Sequence, residues 1–289
     1  MTYAVFGRPS EKTLDMLQVL IDYCIANNHT LLINKLLVEG HEDDYKDFYV
    51  FEKTHEFSCV DLGISIGGDG TFIRMSRILA PYNVPVLGSN TGRLGFLAEV
   101  ANDELIATLE NFEKKDYEQE EITMLELEMD VEGSTKNTFW GVNEVSVLRR
   151  DTSSLLVVKL YANGKFINNY WADGLIVATP TGSTAYSMAC GGPIVAPQSH
   201  NLVITPISPH SLTVRPLVIN DDVELSIEVE SRADTFLVSL DSRSRVAKVG
   251  QKLKVRTSPH KLKVVKPKGH DYFATLREKL MWGQDKREV

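Results

Sequence analysis

The chain has 289 residues, 43% of them hydrophobic and 24% charged, which is typical of a globular protein with room for two domains. Its formal net charge of −8 argues against nucleic acid as a partner, because an acidic surface repels phosphates. The cysteines Cys24, Cys59 and Cys190 are too far apart in sequence to indicate a disulfide framework or a zinc site. With no apolar run of membrane-spanning length and no signal-peptide pattern, the sequence predicts a cytoplasmic protein without a membrane partner.

Strands and helices alternate along the first third of the chain. A first helix is predicted after its capping residue Ser10. The apolar run Leu62 to Ile66 predicts a buried parallel-type strand, and a Gly-rich turn connects it to a helix beginning near Thr71. A strand over 84–87 and a second turn over 88–92 follow. This order predicts a Rossmann-like α/β domain, half of a doubly wound sheet, over residues 1–118.

From about residue 120 the pattern changes to alternation of apolar and polar residues, as in Leu125, Leu127 and Met129, which is typical of antiparallel strands. Further strands are predicted over 140–148, 155–161, 165–170, 223–229, 236–240, 253–256 and 262–265. These strands predict a β-rich, sandwich-like domain over 119–270. The amphipathic end of the chain, 271–289, predicts a helix that packs back on the first domain.

The five residues Gly67-Gly68-Asp69-Gly70-Thr71 form the first motif of chemical interest. Three glycines allow a ligand to approach the backbone, and Asp69 presents one carboxylate where other side-chain bulk is absent. The turn also lies at the carboxyl end of a strand and at a helix N-terminus, where anions and nucleotides bind. It is neither a Walker loop nor a dinucleotide fingerprint. The alternative interpretation is a tight turn in which Asp69 caps the helix.

A second motif, Asn143-Glu144, interrupts an apolar strand. Neighbouring residues of a regular strand point to opposite faces, so both side chains contact one ligand only if the strand ends or bulges there. An acid that accepts from ribose hydroxyls is a familiar device in nucleotide binding. The alternative is a structural pair of polar residues at a strand edge.

The third motif runs from Asp173 to Ser187 and contains a strand followed by a hydroxyl-rich turn that Pro180 and Gly182 shape. We expect its small polar groups to form a cradle for a ligand, with Tyr186 stacking on or bonding to a flat group. The hydroxyls expected to face the ligand are those of Thr181, Ser183, Thr184 and Ser187. An ordinary Ser/Thr capping turn is the alternative, and Asp173 alone would also suit the cap of a turn.

A basic run between Arg243 and Lys268 contains ten Lys or Arg residues, and no acid occurs from Ser242 to His270. It allows two interpretations, attraction of ATP phosphates or a set of solvated strand faces or an oligomer interface. Because charge runs usually lie on solvated faces, the second interpretation is favoured.

The three motifs, in this order over nearly the whole chain, resemble those of the NAD kinases. The Gly-rich motif alone also occurs in diacylglycerol-type lipid kinases and phosphofructokinases. The resemblance implies an active site between an N-terminal α/β domain and a C-terminal β-rich domain. It implies transfer of the γ-phosphate of ATP, or of a phosphate from polyphosphate, to the 2′-hydroxyl of the adenosine ribose of NAD. A divalent cation such as Mg²⁺, with unassigned ligands, and a homodimer or homotetramer are further implications.

The resemblance also implies roles for individual residues. Asp69 would be the catalytic acid at the reacting hydroxyl, Asn143 and Glu144 would hold the adenosine part of NAD, and Asp173 the nicotinamide side. The implied phosphate-donor loop is Gly67, Gly68, Gly70 and Thr71. The implied NAD-binding residues are Asp69, Gly70, Arg74, Asn143, Glu144, Asp173, Thr184, Ala185, Tyr186, Ser187, Met188 and Ala189.

Three further positions are a candidate phosphate contact or depart from the family pattern. Arg74, one helical turn after the Gly-rich loop, is a candidate for contacting a phosphate. Trp171 stands where family members often have a basic residue, and Arg243 stands where a Gln frequently follows Asp-Ser. Arg243 would be able to meet a phosphate instead.

Two other functions remain open at this stage. A lipid kinase would use the same Gly-rich turn but would need an apolar entrance or a basic amphipathic segment, and the hydroxyl cradle would have no purpose. An NAD-binding regulatory module would keep the cradle but would have no use for Asp69 among glycines.

Overall fold

The computed structural model describes residues 1–52, 57–92, 95–130, 137–151 and 155–281. Two compact units emerge, one formed by Met1–Glu121 with Leu262–Val289 and the other by Ile122–Lys261. They are called the first and the second unit below. Twenty strands, numbered β1 to β20 in chain order, and five α-helices, α1 to α5, lie in the described residues.

The first unit is built on a sheet in the order β3-β2-β1-β4-β5-β20-β7, with β6 beside β5. The pairings of β1 with β2 and β4, and of β5 with β4, β6 and β20, are parallel. Its strands are β1 (Thr2–Phe6), β2 (Thr30–Asn34), β3 (Tyr49–Phe51), β4 (Leu62–Ile66), β5 (Val86–Asn90), β6 (Val100–Ala101), β7 (Glu118–Ile122) and β20 (Leu262–Lys266). The Rossmann-like α/β class expected for this part of the chain is confirmed.

Four of the helices belong to the first unit: α1 (Glu11–Ala26), α2 (Asp69–Leu79), α3 (Leu105–Glu113) and α5 (Tyr272–Leu280). Ser10 caps α1 as predicted, and its side chain accepts from the backbone N–H of Thr13. Ile64 and Ile66 of β4 pack in one cluster with apolar residues of α1 and α3. Because strand residues alternate between faces, Gly63 points to the other side, where Leu79 and Met75 of α2 approach it.

Three sequence-based boundaries in the first unit are wrong. Helix α2 begins at Asp69, two residues before Thr71, so the acid belongs to the helix and not to the turn. Strand β5 includes Gly88 to Asn90, where a turn was predicted. The segment Leu262–Lys266 was assigned to the β-rich domain, yet it pairs in parallel with β5, Val264 opposite Val86. The return of the chain to the first unit therefore begins before the C-terminal helix.

The second unit contains two six-stranded sheets, in the orders β15-β14-β13-β10-β17-β18 and β12-β11-β16-β19-β8-β9. One buried cluster contains apolar residues of both sheets, for example Leu127 and Val158 of one sheet and Val147 and Val177 of the other, as in a β-sandwich. The strands are β8 (Leu125–Glu128), β9 (Thr138–Gly141), β10 (Glu144–Arg149), β11 (Leu156–Ala162), β12 (Lys165–Ala172), β13 (Gly174–Ala178), β14 (Asn201–Ile207), β15 (Leu217–Asn220), β16 (Leu225–Ser231), β17 (Thr235–Leu240), β18 (Arg243–Lys248) and β19 (Leu253–Thr257). Helix α4 is Tyr186–Ala189.

Many cations of the basic run Arg243–Lys268 face acids of neighbouring strands. Lys252 Nζ lies 3.3 Å from Glu228 Oε1, and Arg256 Nη2 lies 2.5 Å from Glu126 Oε1. Such pairing agrees with the interpretation of the run as solvated strand faces.

Candidate active site

The Gly-rich motif lies between the end of β4 and the first turn of α2. Gly67 has a φ of +145°, which non-glycine residues rarely adopt, and Gly68 is the N-cap of the helix. Apart from neighbouring residues and the helix backbone, no atom of the described residues lies within 4 Å of the place where a Cβ on Gly68 or Gly70 would stand. Protein packing therefore does not explain these two glycines, whereas the close approach of a ligand does.

Asp69 is not the cap of α2, as the alternative interpretation required. Its carboxylate instead accepts three consecutive backbone N–H groups across the unit: Phe96 donates to Oδ2 at 3.0 Å, and Leu97 and Ala98 donate to Oδ1 at 3.1 and 3.0 Å. A carboxylate has about four acceptor positions. Within the described residues, one position on Oδ2 thus stays available for a further donor.

Gly95 fits this arrangement because a Cβ there would stand 1.9 Å from Asp69 Oδ1. The segment 95–98 was missed as part of the site in the sequence analysis. The pair Gly95-Phe96, shortly after the predicted second turn, was the sequence signal for this segment. Nothing in the sequence, however, links Phe96 to an acid 27 residues earlier.

Arg74 lies on α2, one turn after Thr71. Its Nη2 donates to Asn34 Oδ1 at 2.7 Å, and burial together with the nearby Arg8 and Arg77 lowers the pKa of the guanidinium. Three cations close together favour an anion nearby. The role of Arg74 toward a phosphate stays a prediction.

In the second unit the chain bends at Asn143-Glu144, as joint contact with one ligand requires. Strand β9 ends at Gly141 in one sheet, and β10 begins at Glu144 in the other. The Asp241 carboxylate holds the bend: the N–H groups of Val142 and Asn143 donate to it at 3.1 and 2.8 Å, and that of Glu144 at 3.4 Å. A single side chain therefore fixes the backbone of the second motif.

Asp241 was also missed as a site residue, although its sequence context carries a signal. It is the last acid before the acid-free stretch, between the predicted strands 236–240 and 253–256. It has a φ of +52°, a conformation for which Asp is better suited than most residues. Which backbone groups it would contact depends on the pairing of β10 with β17, which local sequence does not reveal.

Burial, reinforced by the neighbouring Asp241 carboxylate, raises the pKa of Glu144 to about 7. Burial likewise raises the pKa of Asp241, against the effect of its N–H donors. The backbone N–H of Tyr186 donates to the Glu144 carboxylate and favours its charged form. Glu144 therefore changes charge near neutral pH.

This shift predicts a pH-dependent stability difference between the wild type and Glu144→Gln. Because the pKa rises from 4.5 to about 7, the contribution of Glu144 to stability is complete below pH 4.5 and is lost as the pH rises to about 7. From pH 4.5 to pH 8 the variant should gain about 3 kcal/mol in the free energy of unfolding relative to the wild type. Urea unfolding at a series of pH values measures this difference, and parallel pH profiles for the two proteins would contradict it.

The buried polar atoms of the second unit that make no hydrogen bond within the described residues include three oxygens: Asn143 Oδ1, Glu144 Oε2 and Thr181 Oγ1. Buried polar atoms nearly always have partners in proteins. Two of these atoms are acceptors and the third is able to accept. The set therefore fits a ligand that presents hydroxyl or amino donors.

The third motif packs directly on the second. Thr179 Oγ1 donates to the carbonyl of Val142 at 2.8 Å and accepts from the N–H of Gly182 at 3.0 Å. A Cβ on Gly182 would stand 2.1 Å from the carbonyl oxygen of Asn143, so this position has no room for a side chain. The two motifs thus form one continuous structure.

The cradle of hydroxyls stays a prediction, and three of its four residues already have partners within the protein. Their hydroxyls are bonded inside the unit: Ser183 with the backbone of Val195, Thr184 with the carbonyl of Thr181, and Ser187 with Thr205. Small residues that approach each other closely use their hydroxyls for local backbone and side-chain bonds. The Thr181 hydroxyl makes no hydrogen bond within the described residues, and Tyr186 is 41% exposed.

Two further predicted positions, Asp173 and Arg243, have partners within the protein. Asp173 Oδ1 lies 3.0 Å from Arg149 Nη1 in a half-exposed ion pair. Arg243 donates to the carbonyl of Trp140 at 2.9 Å. Trp171, 53% exposed, leaves its indole largely in solvent. Contact of Asp173 or Arg243 with a ligand stays a prediction.

Comparison with known proteins gives the family. The model of the ATP-NAD kinase N-terminal domain matches residues 18–117, and that of the ATP-NAD kinase C-terminal domain matches 142–267. The NAD kinase of Flavobacterium johnsoniae is 45% identical and that of Bacteroides fragilis 41% identical, each over 99% of this chain and 100% of its own length. The chain belongs to the NAD kinase family.

Solved structures of NAD kinase relatives have the same fold. A yeast NADH kinase complexed with NADH has a TM-score of 0.87 at 22% identity and covers 100% of this chain and 90% of its own. An NAD kinase from Archaeoglobus fulgidus in complex with ATP has a TM-score of 0.76 at 22% identity, over 97% and 99% of the two chains. The resemblance inferred from the three motifs, and with it a phosphotransferase activity, is confirmed.

Two further findings concern the described residues of this NAD kinase family member. Among the described residues, no group of three or more His, Cys, Asp or Glu side chains is arranged to hold a metal ion. In the same part of the chain, each helix is too short or too polar to span a membrane.

Proposed function

We propose that this chain transfers the γ-phosphate of ATP to the 2′-hydroxyl of the adenosine ribose of NAD and so makes NADP. The observation that carries the proposal is the match of both family domains, each of which contains one of the two built sets of polar groups. The first set is Asp69 with its open Gly-rich turn. The second set is the group of unpartnered acceptors at Asn143, Glu144 and Thr181.

Asp69 orients the reacting hydroxyl in this proposal. Its three N–H donors fix the carboxylate, and the free acceptor position on Oδ2 accepts from the 2′-hydroxyl. Phosphoryl transfer has a loose transition state, so alignment of the hydroxyl with the γ-phosphate matters more than early deprotonation. A carboxylate held by three donors suits this orienting role.

The Gly-rich turn receives the phosphates of ATP. Gly67, Gly68, Gly70 and Thr71 lie at the N-terminus of α2, whose unpaired N–H groups and dipole favour anions. The open space at Gly68 and Gly70 lets phosphate oxygens approach the backbone. Arg74 supplies a positive charge one turn later on the same helix.

The second unit binds the adenosine part of NAD. Asn143 Oδ1 and Glu144 Oε2 accept from the hydroxyl and amino groups that ribose and adenine present, and Thr181 Oγ1 adds a third polar contact. The segment Thr184 to Ala189 forms the wall beside them. Asp173, which pairs with Arg149, contacts the nicotinamide side.

A divalent cation, Mg²⁺, accompanies ATP. Mg²⁺ is commonly held by substrate phosphates and one or two carboxylates rather than by an all-protein cage. In this proposal the phosphates of ATP at the Gly-rich turn supply ligands to the cation, because the one open acceptor position of Asp69 is given to the 2′-hydroxyl. When bound, the cation neutralises charge that develops on the transferred phosphate.

The setting proposed for this activity is the cytoplasm, and the assembly proposed is a homodimer or homotetramer. The acidic composition and widely spaced cysteines support the first proposal. Family membership supports the second. Light scattering of the purified protein in line with size exclusion measures the assembly, and a monomeric mass would contradict it.

The test is an assay with MgATP and one acceptor at a time. We expect NADP from NAD, no phosphatidate from diacylglycerol, and loss of turnover without a divalent cation. Parallel reactions with NADH and with polyphosphate define the acceptor and donor range. Binding of NAD without turnover would contradict the proposal and favour a regulatory module.

A further inference from the structure

The segment that holds Asp69 continues directly into a buried acid. Phe96, Leu97 and Ala98 donate their N–H groups to the Asp69 carboxylate, and the next residue is Glu99. The Glu99 side chain is only 8% exposed. A displacement of Glu99 would therefore also displace the three N–H donors to Asp69, which lie one to three residues before it in the chain.

Lys266 and His270, both from the C-terminal return of the chain, lie against the Glu99 carboxylate. Lys266 Nζ, at the end of β20, lies 3.4 Å from both carboxylate oxygens, and His270 Nε2 lies 2.5 Å from Oε2. Lys266 also pairs with Glu120 of β7 at 2.7 Å. The side chains of Lys266, His270 and Glu120 are 12%, 16% and 13% exposed, so water screens these pairs weakly.

We propose that Glu99 is a positioning residue, whose ionised carboxylate, held by Lys266 and His270, keeps the segment 96–98 in place to orient Asp69. The strand β20 and the residues before α5 thereby take part in catalysis without contacting a substrate. This inference rests on the proposed role of Asp69.

The chemistry of the cluster favours a positioning role over a purely stabilising one. Removing charges from water is costly, and a buried ion pair is often no more stabilising than apolar residues of the same volume. An ion pair does, however, fix geometry. Since a displacement of about 1 Å at a reacting group can cost about 100-fold in rate, a fixed position for the segment 96–98 has catalytic value.

The cluster is also sensitive to pH. Burial raises the pKa of Glu99 to about 7, with Glu120 and Asp69 adding to the effect and Lys266 opposing it. Burial and Lys266 lower the pKa of His270, and Glu120, Glu118 and Asp271 oppose that shift. Protonation of Glu99 removes the charge that Lys266 and His270 hold. We therefore expect kcat to fall as the pH falls through about 7.

The experiment compares Glu99→Gln, Lys266→Met and the wild type, with Glu121→Gln as the matched control. Glu121 is an exposed acid of β7. We expect Glu99→Gln and Lys266→Met to lower kcat about 10-fold or more at pH 8, with the KM for NAD changed less than about 3-fold. The control should match the wild type. Glu99→Gln should also lose the fall of kcat near pH 7, which a structural role would not predict.

A double mutant separates this inference from the role of Asp69. If Glu99 acts through Asp69, Glu99→Gln will lower kcat much less in the Asp69→Asn background than in the wild type. A wild-type kcat and pH profile for Glu99→Gln, with a strongly impaired Asp69→Asn, would overturn the inference alone. A fully active Asp69→Asn would overturn both. If Glu99→Gln does not fold, the inference is tested by comparing the pH profiles of kcat for Lys266→Met and the wild type. Identical profiles would overturn the inference.

Discussion

Asp69→Asn is expected to lower kcat by about 100-fold or more while the affinity for NAD changes only a few-fold. The three groups that face the carboxylate are all N–H donors, so the amide NH₂ of Asn must oppose one of them. The variant also loses the charged acceptor for the 2′-hydroxyl. NAD affinity persists because the adenosine contacts proposed for the second unit are unchanged.

Initial rates of NADP formation at saturating MgATP and NAD give kcat, and calorimetry gives the dissociation constant for NAD. Asp15→Asn, at an exposed position of α1, is the matched control and should behave as the wild type. A variant Asp69→Asn that unfolds more readily yet turns over at the wild-type rate would reduce Asp69 to a structural acceptor for segment 96–98.

Asp241→Ala is expected to destabilise the second unit and to weaken NAD binding. The change leaves the N–H groups of Val142, Asn143 and Glu144 without their acceptor. Unsatisfied donors cost about 1–3 kcal/mol each when buried, so a loss of about 3 kcal/mol in the free energy of unfolding is expected. Because the bend carries Asn143 and Glu144, the KM for NAD should rise about 10-fold or more.

Urea unfolding and steady-state kinetics measure the two effects of Asp241→Ala. Asp234→Ala, at an exposed position just before β17, is the control. An unchanged KM for NAD in a destabilised Asp241→Ala would show that the bend does not serve the NAD site. An unchanged free energy of unfolding would show that water replaces the carboxylate as the acceptor for the three N–H groups.

Asp69 and Asp241 have the same structural role in their two units. Each carboxylate accepts consecutive backbone N–H groups of a segment distant in sequence, and each segment adjoins residues of a proposed site. Local patterns identified Asp69 because glycines surround it, but not Asp241, which follows an ordinary strand. Neither pairing was predictable, because the partner segments lie 27 and about 98 residues away in sequence.

Much of the fold followed from periodicity. The buried run Leu62 to Ile66 and the alternation around Leu125 indicated a parallel and an antiparallel region, and both are present. Asn163 and Gly164, which connect β11 and β12, both have positive φ, as is typical of the Asn-Gly turn of a hairpin. The placement of Leu262–Lys266 was not predictable, since a strand pattern does not reveal which sheet the strand joins.

The site was predictable in its motifs but not in its hydrogen bonds. A break in the strand at Asn143-Glu144 was the condition for both side chains to contact one ligand, and the structure has that break. Ser183 and Ser187 of the expected cradle have partners within their own unit, which local sequence did not reveal. Residue type told which groups are able to bond, and tertiary packing decided which remain free for a ligand.

The most direct test of the account uses an NAD analogue that lacks the 2′-hydroxyl of the adenosine ribose. With MgATP, the protein should convert NAD to a product that carries a 2′-phosphate, identified by phosphorus NMR. The analogue should compete with NAD for binding but accept no phosphate. Phosphate transfer to the analogue, or a product phosphorylated at another position, would contradict the assignment of the acceptor and the role given to Asp69.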